Sequence, residues 1–193
     1  MIKKGVFIFF IFCVFFVFPL QSFAVKKGKE KEKAHKPRIN ISGLEIRVHE
    51  LINAERRKAG LRPLAMNRRL SAIAREHSRD MALRNYFSHI TPEGEDPLAR
   101  YKKNGFECSI QAGSRIYLGA ENIFQNNLYS SVEYMNGKAY YNWDSLEEIA
   151  RSTVKWWMQS PGHRRNILTR AFRSEGIGIA VKNGKVYITQ DFC

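Results

Sequence analysis

The fold is decided by the segment Gly176-Ile177-Gly178-Ile179-Ala180-Val181-Lys182-Asn183-Gly184-Lys185-Val186-Tyr187-Ile188-Thr189-Gln190-Asp191-Phe192. Two apolar runs flank Asn183-Gly184, a dipeptide that suits a type I′ turn with two positive φ angles. Turn residues of this kind between two apolar runs are typical of two antiparallel strands joined directly. The segment therefore predicts a tight hairpin.

A break between two helices precedes this hairpin. Trp156 and Trp157 belong to an apolar pattern with helical spacing, and Pro161-Gly162 interrupt it. Proline and glycine end helices because proline lacks a backbone donor and glycine loses the most conformational entropy when it becomes helical. His163 is therefore predicted at a corner between two helices, where its side chain can be directed into a site.

Capping patterns predict the other main helices. Ser42 and Glu45 form a capping-box pattern for a first helix, and Gly60 supplies its left-handed stop. Asn67 is placed to cap a second helix that runs to about residue 85. Ser145-Leu146-Glu147-Glu148 is another capping box, and it opens the helix that contains the two tryptophans.

The middle of the chain carries weaker signals. Leu98 to Lys103 allows a short helix, and Gly105 to Gly119 is predicted to be irregular. Asn136-Gly137 predicts a second hairpin, which is rich in tyrosine. Aromatic side chains bury much area at small entropic cost, so this hairpin offers a recognition surface. Its aromatic residues are Tyr129, Tyr134, Tyr140, Tyr141 and Trp143.

Residues 1–24 have the pattern of a secretory signal peptide. Lys3 and Lys4 precede an apolar stretch from Gly5 to Phe18, and Ser22-Phe23-Ala24 is a small-x-small cleavage site. An uncleaved anchor is the alternative, although the apolar run is shorter than the roughly 20 residues that a spanning helix needs. The signal predicts export, to an extracellular, periplasmic or envelope-associated location.

Residues 25–41 form a basic arm with no apolar periodicity. The formal charge of the whole chain is +14, and residues 25–38 hold seven basic against two acidic residues. Such a segment is predicted to be disordered, and it can attract an anionic surface of lipid or envelope polymer. A solvated linker is the alternative, and nucleic acid is excluded as a partner of an exported chain. The lysines concerned are Lys26, Lys27, Lys29, Lys31 and Lys33.

Three cysteines are present, and Cys13 lies inside the predicted signal. Cys108 and Cys193 remain in a chain that is bound for an oxidising compartment, where disulfides persist. If they pair, the closed loop would stabilise the fold by about 4.6 kcal/mol in the loop-entropy model. A free thiol at Cys193 is the alternative.

Three polar residues in this part of the chain stand out as candidates for a site, and two other histidines do not. His77 lies on the apolar stripe of the second predicted helix, which favours a core histidine bonded to a neighbouring segment. His89 follows the end of that helix in a turn-rich loop, which places it in a surface cleft. Glu121 is a lone carboxylate between small and apolar residues, where it needs a partner. His49 and His35 are predicted to be surface residues without partners.

Residues 42–193 carry a series of spaced motifs. They are Asn53-x-x-Arg56, Leu70-x-x-x-Ala74-x-x-His77-Ser78-x-Asp80-Met81-Ala82, Tyr86-Phe87-Ser88-His89, Gly119-Ala120-Glu121-Asn122-Ile123, Trp157-x-x-Ser160-Pro161-Gly162-His163-x-x-Asn166-Ile167-Leu168, Gly176-Ile177-Gly178 and Thr189-Gln190-Asp191-Phe192. Together these motifs resemble the bacterial branch of the CAP superfamily, whose domain is also called SCP. This superfamily includes cysteine-rich secretory proteins, antigen five and pathogenesis-related proteins. The resemblance implies an α+β fold, an α-β-α sandwich with a small antiparallel sheet between helical layers.

The resemblance also implies a cleft. In the eukaryotic branch, two histidines and two glutamates line it and can hold a divalent metal such as zinc. His89, Glu121 and His163 match three of these residues, and Ser160 stands where the second glutamate belongs. Ser160 and Asn122 complete the predicted cleft. A metal site and a hydrogen-bonded polar cleft both remain open.

Two classes of function follow from this cleft. A non-enzymatic binding module would engage a lipid, a peptide or an envelope component. A metal-dependent hydrolase or protease would use a metal-bound water, with Glu121 or a histidine transferring the proton. A structural role at the envelope, with the basic arm as tether, is a third possibility. No catalytic residue is assigned.

Overall fold

The computed structural model of the protein describes residues 36–193. The predicted signal peptide, the basic arm as far as residue 35 and His35 lie outside the described residues. The helices are α1 Ile41–Lys58, α2 Arg68–Arg84, α3 Pro97–Lys103, α4 Leu146–Gln159 and α5 Pro161–Ile167. The strands are β1 Ala65–Met66, β2 Ile110–Ala112, β3 Arg115–Tyr117, β4 Ala120–Asn127, β5 Tyr129–Met135, β6 Lys138–Trp143, β7 Ser174–Lys182 and β8 Lys185–Phe192.

Helix α1 begins differently from the sequence prediction. Its N-cap is Asn40, whose side chain accepts a hydrogen bond of 3.0 Å from the backbone N–H of Gly43. Glu45 instead lies buried, and both its oxygens accept from the guanidinium of Arg75 at 2.7 Å. The predicted capping box at Ser42 is therefore wrong, because the helix starts at Ile41 and Ser42 already lies inside it.

The other helix signals are confirmed. The side chain of Asn67 accepts hydrogen bonds from the backbone N–H groups of Arg69 and Leu70, at 3.0 and 3.2 Å. Ser145 and Glu148 bond reciprocally at the start of α4. Helix α4 ends at Gln159 and α5 begins at Pro161, so His163 does lie just beyond a helix break.

The main sheet has the strand order β1-β7-β8-β4. The predicted hairpin is confirmed as β7 and β8, with φ angles of 52° at Asn183 and 75° at Gly184. Strand β4 pairs antiparallel with β8, whereas the short β1 runs parallel to β7. The sheet is therefore antiparallel apart from this two-residue edge strand.

Helix α2 packs on one face of this sheet, while α1, α4 and α5 pack on the other. The contact with α2 is close because β7 presents glycine toward it. A Cβ on Gly178 would lie 2.0 Å from the backbone nitrogen of Arg75, and one on Gly176 would lie 2.2 Å from the carbonyl carbon of Leu70. The predicted α+β sandwich is confirmed, and the sheet lies directly against the backbone of one of its helical layers.

Two further hairpins stand apart from the main sheet. Strands β2 and β3 form one of them, within the stretch predicted to be irregular. Strands β5 and β6 form the other, and it turns at Asn136-Gly137 as predicted. Near its base, the rings of Tyr129, Tyr141 and Trp143 pack with centroids 5.0 to 5.7 Å apart.

Cys108 and Cys193 form a disulfide, with their Cα atoms 5.6 Å apart. This separation is usual for a disulfide, and the predicted pairing is confirmed. The bond joins the segment after α3 to the residue after β8. No helix among residues 36–193 has the length and apolar character needed to cross a membrane.

Candidate functional site

Strand β4 places consecutive residues on opposite faces of the sheet, as every strand does. Glu121 faces the α2 layer, where its register partner on β8 is Asp191. Asn122 faces the layer of α1 and α5, where its register partner is Gln190. All four residues are buried. One strand therefore supplies polar groups to two separate buried clusters.

Each oxygen of Glu121 has a hydrogen-bond partner. Its Oε2 accepts from Nη2 of Arg100, and its Oε1 is 2.7 Å from Nδ1 of His89. Nε2 of His77 lies 4.0 Å from the same Oε1. Arg100 also donates from Nη1 to the backbone oxygens of His89 and Glu95, at 2.8 and 3.1 Å. Arg100 thus neutralises the carboxylate and fixes the loop that carries His89.

A second carboxyl group lies beside this pair. Asp191 is fully buried, and burial raises its pKa well above the ordinary value, with the charge of Glu121 as the next cause. Two carboxylates in one buried site cannot both ionise at low cost. Burial also raises the pKa of the neighbouring Tyr101, with the charge of Asp191 as the next cause. We call Glu121, Asp191, Arg100, His89 and His77 the carboxylate cluster.

The structure brings some of the predicted cleft residues together. His89 touches Glu121, and its side chain is 46% exposed, so it links the buried cluster to the surface. His163 lies on α5, and its pKa is lowered by burial first and by the charge of His89 second. Ser160 is the residue between α4 and α5. Asn122 faces away from Glu121, but its Nδ2 donates to the backbone oxygen of His163 at 3.3 Å.

The other face of the sheet holds what we call the amide network, formed by Asn122, Gln190, Glu175, His49 and Asn166. Nδ2 of Asn122 donates to Oε1 of Gln190 at 3.0 Å, and Nε2 of Gln190 donates to Oε2 of Glu175 at 2.5 Å. Nδ1 of His49 is 2.5 Å from Oε1 of Glu175. The prediction of His49 as a surface residue without a partner is therefore wrong. Asn166 donates to Asn122 at 2.9 Å, which joins the network to α5.

The residues of the cleft do not fit the predicted metal centre of His89, Glu121 and His163. The carboxylate of Glu121 is already bound by the guanidinium of Arg100, a cation that a divalent metal would have to displace. Ser160 supplies no second carboxylate at the junction of α4 and α5. Across residues 36–193, no group of three or more His, Cys, Asp and Glu side chains is arranged to hold a metal ion.

The sequence did not predict two members of the carboxylate cluster, Arg100 and Asp191. Arg100 lies on a helix of only seven residues, and its side chain is buried. Asp191 lies in the predicted hairpin, but its position opposite Glu121 depends on β4, which the sequence did not predict as a strand. His77 was predicted as a core histidine, and its Nε2 does bond the backbone oxygen of Ser88 at 3.0 Å. Its place beside Glu121 was not predicted.

The comparisons with known proteins agree with this fold. The uncharacterized protein YkwD of Bacillus subtilis is 35% identical over 153 residues, which are 79% of this chain and 48% of YkwD. The chain thus spans about half the length of this curated relative.

Solved structures extend the likeness. An extracellular protein from Bacillus anthracis that contains an SCP domain superposes with a TM-score of 0.56 and 24% identity, over 82% of this chain and 44% of that one. An outer surface protein from Borrelia burgdorferi superposes with a TM-score of 0.60 and 16% identity, over 82% of this chain and 97% of that one. At these identities the likeness concerns the fold.

The family pattern itself matches most of the described chain. It is the pattern of the cysteine-rich secretory proteins, called CAP, and it covers residues 49–192. This range contains the carboxylate cluster, the helix break before His163 and the β7–β8 hairpin. The chain therefore belongs to the cysteine-rich secretory protein family.

Proposed function

We propose that this protein is an exported binding module without catalytic activity, and that its ligand is a lipid, a peptide or another envelope component that contacts His89 and His163. The observation that carries the proposal is that each oxygen of Glu121 already bonds another side chain. A general base needs a carboxylate oxygen that is free to accept a proton from a substrate or water. Both oxygens of Glu121 are engaged, one by Arg100 and one by His89.

The rim around His89 supports an amphipathic ligand. Phe87 and Ile90, which flank it in the chain, are 47% and 53% exposed. Exposed large apolar side chains beside a polar group favour a ligand that has both an apolar part and a hydrogen-bonding group. The histidine would bond the polar group, while Phe87 and Ile90 cover the apolar part.

The location of the protein is part of this proposal. Its support is the signal-like pattern of residues 1–24 together with two fold relatives that are described as extracellular and as an outer surface protein. The lysines of the basic arm, Lys26 to Lys33, would then hold the protein near anionic lipid or envelope polymer. The structural envelope role differs from the binding module in one respect. It requires the basic arm but does not require a ligand at His89.

A binding experiment separates these alternatives. The purified protein is incubated with isolated envelopes and with vesicles of phosphatidylglycerol and phosphatidylcholine, and retention is measured by sedimentation at low and high salt. We expect the double variant Phe87→Ser, Ile90→Ser to reduce the fraction of protein that sediments with the envelopes or vesicles at high salt. Ile116→Ser is the matched control, because Ile116 is also exposed but lies on β3.

Other outcomes would count against the binding module. Retention that depends only on Lys26 to Lys33 and vanishes at high salt would favour the structural role. Turnover of peptide or ester substrates that is lost on treatment with a chelator and in Glu121→Gln would favour the hydrolase. Retention of the double variant equal to that of the parent protein would remove the proposed role of the rim.

A further inference from the structure

Two long segments of the folded domain, residues 56–75 and 149–174, contain no acidic residue, although the whole chain has 18. Segment 56–75 holds seven basic residues, and segment 149–174 holds six. A solvated protein surface normally mixes charges of both signs. The two segments therefore concentrate positive charge on the domain itself, apart from the basic arm.

The buried side chain of Arg56 brings these two segments together. Its Nε donates to the backbone oxygen of Arg62 at 2.9 Å. Its Nη1 donates to the backbone oxygens of Ile167 and Thr169 at 2.6 and 3.0 Å, and its Nη2 to that of Phe172 at 3.4 Å. A guanidinium group is only a few ångströms across, so these four oxygens lie close to one another. The turn after α1 and the loop after α5 are therefore adjacent.

Exposed arginines surround this junction, and we call Arg57, Arg62, Arg165 and Arg170 the arginine surface. Arg57 follows the buried arginine in the chain, and Arg62 and Arg170 lie at or next to its backbone partners. Arg165 is joined to the same loop, because the hydroxyl of Thr169 donates to its backbone oxygen at 2.8 Å. None of the four side chains forms an ion pair or a hydrogen bond with any of residues 36–193.

The acidic residues that flank this junction in the chain are engaged elsewhere. Glu55 accepts from Nζ of Lys58 at 2.6 Å. Glu175 is buried and bonds His49 and Gln190 on the other side of its strand pair. Like charges without partners repel one another and oppose the compact state. A polyanion that bound the arginine surface would relieve this repulsion.

The side chains of this surface favour phosphate groups. The fork of a guanidinium donates two parallel hydrogen bonds to a phosphate or a carboxylate. A tetrahedral phosphate accepts such pairs on several sides, whereas a planar carboxylate has one edge of this kind, and these arginines come from separate segments. Residues 57–62 and 164–173 include no large exposed apolar side chain. The surface thus lacks the apolar groups with which a protein enters a lipid bilayer.

From these observations we infer that the arginine surface binds an extended polyanion with repeated phosphate groups. Several phosphates in a row are needed to engage four arginines at once, so a single phosphate ion binds far more weakly. The surface contains neither His89 nor His163, and the inference does not rest on the function proposed above.

Isothermal titration calorimetry tests this inference with the full chain. The probes are inorganic polyphosphate, polyglutamate of equal length and free phosphate, each at several salt concentrations. The triple variant Arg62→Gln, Arg165→Gln, Arg170→Gln should bind polyphosphate at least about tenfold more weakly at low salt. The slope of the logarithm of affinity against the logarithm of salt should decrease by about two, since each lost contact contributes about 0.7 for a single-stranded polyanion.

The matched control is Arg79→Gln, Lys102→Gln, Arg115→Gln, which removes the same charge from exposed residues on α2, α3 and β3. It should change the affinity by at most about twofold. The basic arm is intact in both variants, so its contribution is the same in each. Circular dichroism checks folding, and Arg62→Gln alone, which should reduce the slope by about 0.7, serves if the triple variant does not fold.

Three results would overturn the inference. Equal losses for the two triple variants would show that only net charge matters. Binding of polyglutamate or of free phosphate as tight as that of polyphosphate would remove the selectivity for a phosphate polymer. Loss of retention on phosphatidylglycerol vesicles, with polyphosphate binding unchanged, would assign the arginine surface to the membrane instead.

Discussion

Glu121 and Asn122 are neighbours in β4, yet they belong to buried polar groups of different character. The carboxylate cluster pairs Glu121 with the guanidinium of Arg100, and burial raises the pKa of the neighbouring Asp191. The amide network passes from Asn122 through neutral amides to Glu175, whose partner His49 reaches the surface. Each group holds a buried carboxylate, but Glu121 is paired with a guanidinium, whereas Glu175 bonds the neutral amide of Gln190 and the ring of His49.

Of the changes proposed here, removal of Arg100 should lower the stability of the protein most. Arg100→Ala leaves the charge of Glu121 buried without its cation, which costs about 3 to 5 kcal/mol of unfolding free energy. Urea unfolding measures the loss. Arg84→Ala is the control, because Arg84 also pairs with a glutamate but is exposed, and it should cost far less than Arg100→Ala. Equal losses for the two variants would contradict the role of Arg100.

The two faces of the sheet should also differ in their tolerance of added volume. Gly178→Ala places a methyl group 2.0 Å from the backbone of α2, and the helix must move away from the sheet. We expect a loss of about 3 kcal/mol, measured by thermal or urea unfolding. Gly162→Ala, on α5, meets no atom within 4 Å and should be nearly neutral. A stable Gly178→Ala would mean that α2 is held less closely than described.

A break in the amide network should cost less than the loss of Arg100. Gln190→Met keeps the volume but leaves Oε2 of Glu175 and Nδ2 of Asn122 without this partner. Unsatisfied buried groups cost about 1 to 3 kcal/mol. The control is Asn142→Ala, which removes an exposed side-chain bond to Ser130 and should change stability by less than about 0.5 kcal/mol. A cost as large as that of Arg100→Ala would erase the contrast between the two clusters.

Acidification should produce the smallest of these effects. The pKa of His77 is lowered by burial, so the folded state binds fewer protons than the unfolded state once the pH falls below about 6.5, the ordinary histidine value. The free energy of unfolding therefore decreases from that pH downward, until the pH passes the folded pKa. Urea midpoints between pH 7 and pH 5 measure the slope, and His77→Gln should reduce it. An unchanged slope would show that His77 titrates normally.

Local sequence signals predicted the elements whose cause is local. Asn183-Gly184 specifies its turn through the φ angles that these two residues accept, and Ser145 and Glu148 cap α4 within one helical turn. The capping box at Ser42 failed because Asn40 caps the helix two residues earlier, and Glu45 bonds Arg75, 30 positions further along the chain. Long-range partners of this kind are not visible in the local pattern.

The same limit applied to the candidate site. His89, Glu121 and His163 were selected by their motifs, and the contact of His89 with Glu121 is present. Arg100 and Asp191 could be placed only with the register of β4 against β8. That register follows from tertiary packing, and no short segment of this sequence encodes it.

The β5–β6 hairpin has a consequence for the timescales of motion in the molecule. Within the described chain it pairs with no third strand, and Tyr134 near its turn is 77% exposed. Two strands alone are marginally stable in water, whereas β8 is bonded along both edges. The backbone amides of the β5–β6 hairpin should therefore exchange with deuterium early, through frequent local opening. The amides of β8 should exchange only when the whole domain unfolds. A ligand held by the tyrosines would slow the exchange of the hairpin and leave the strands of the sheet unaffected.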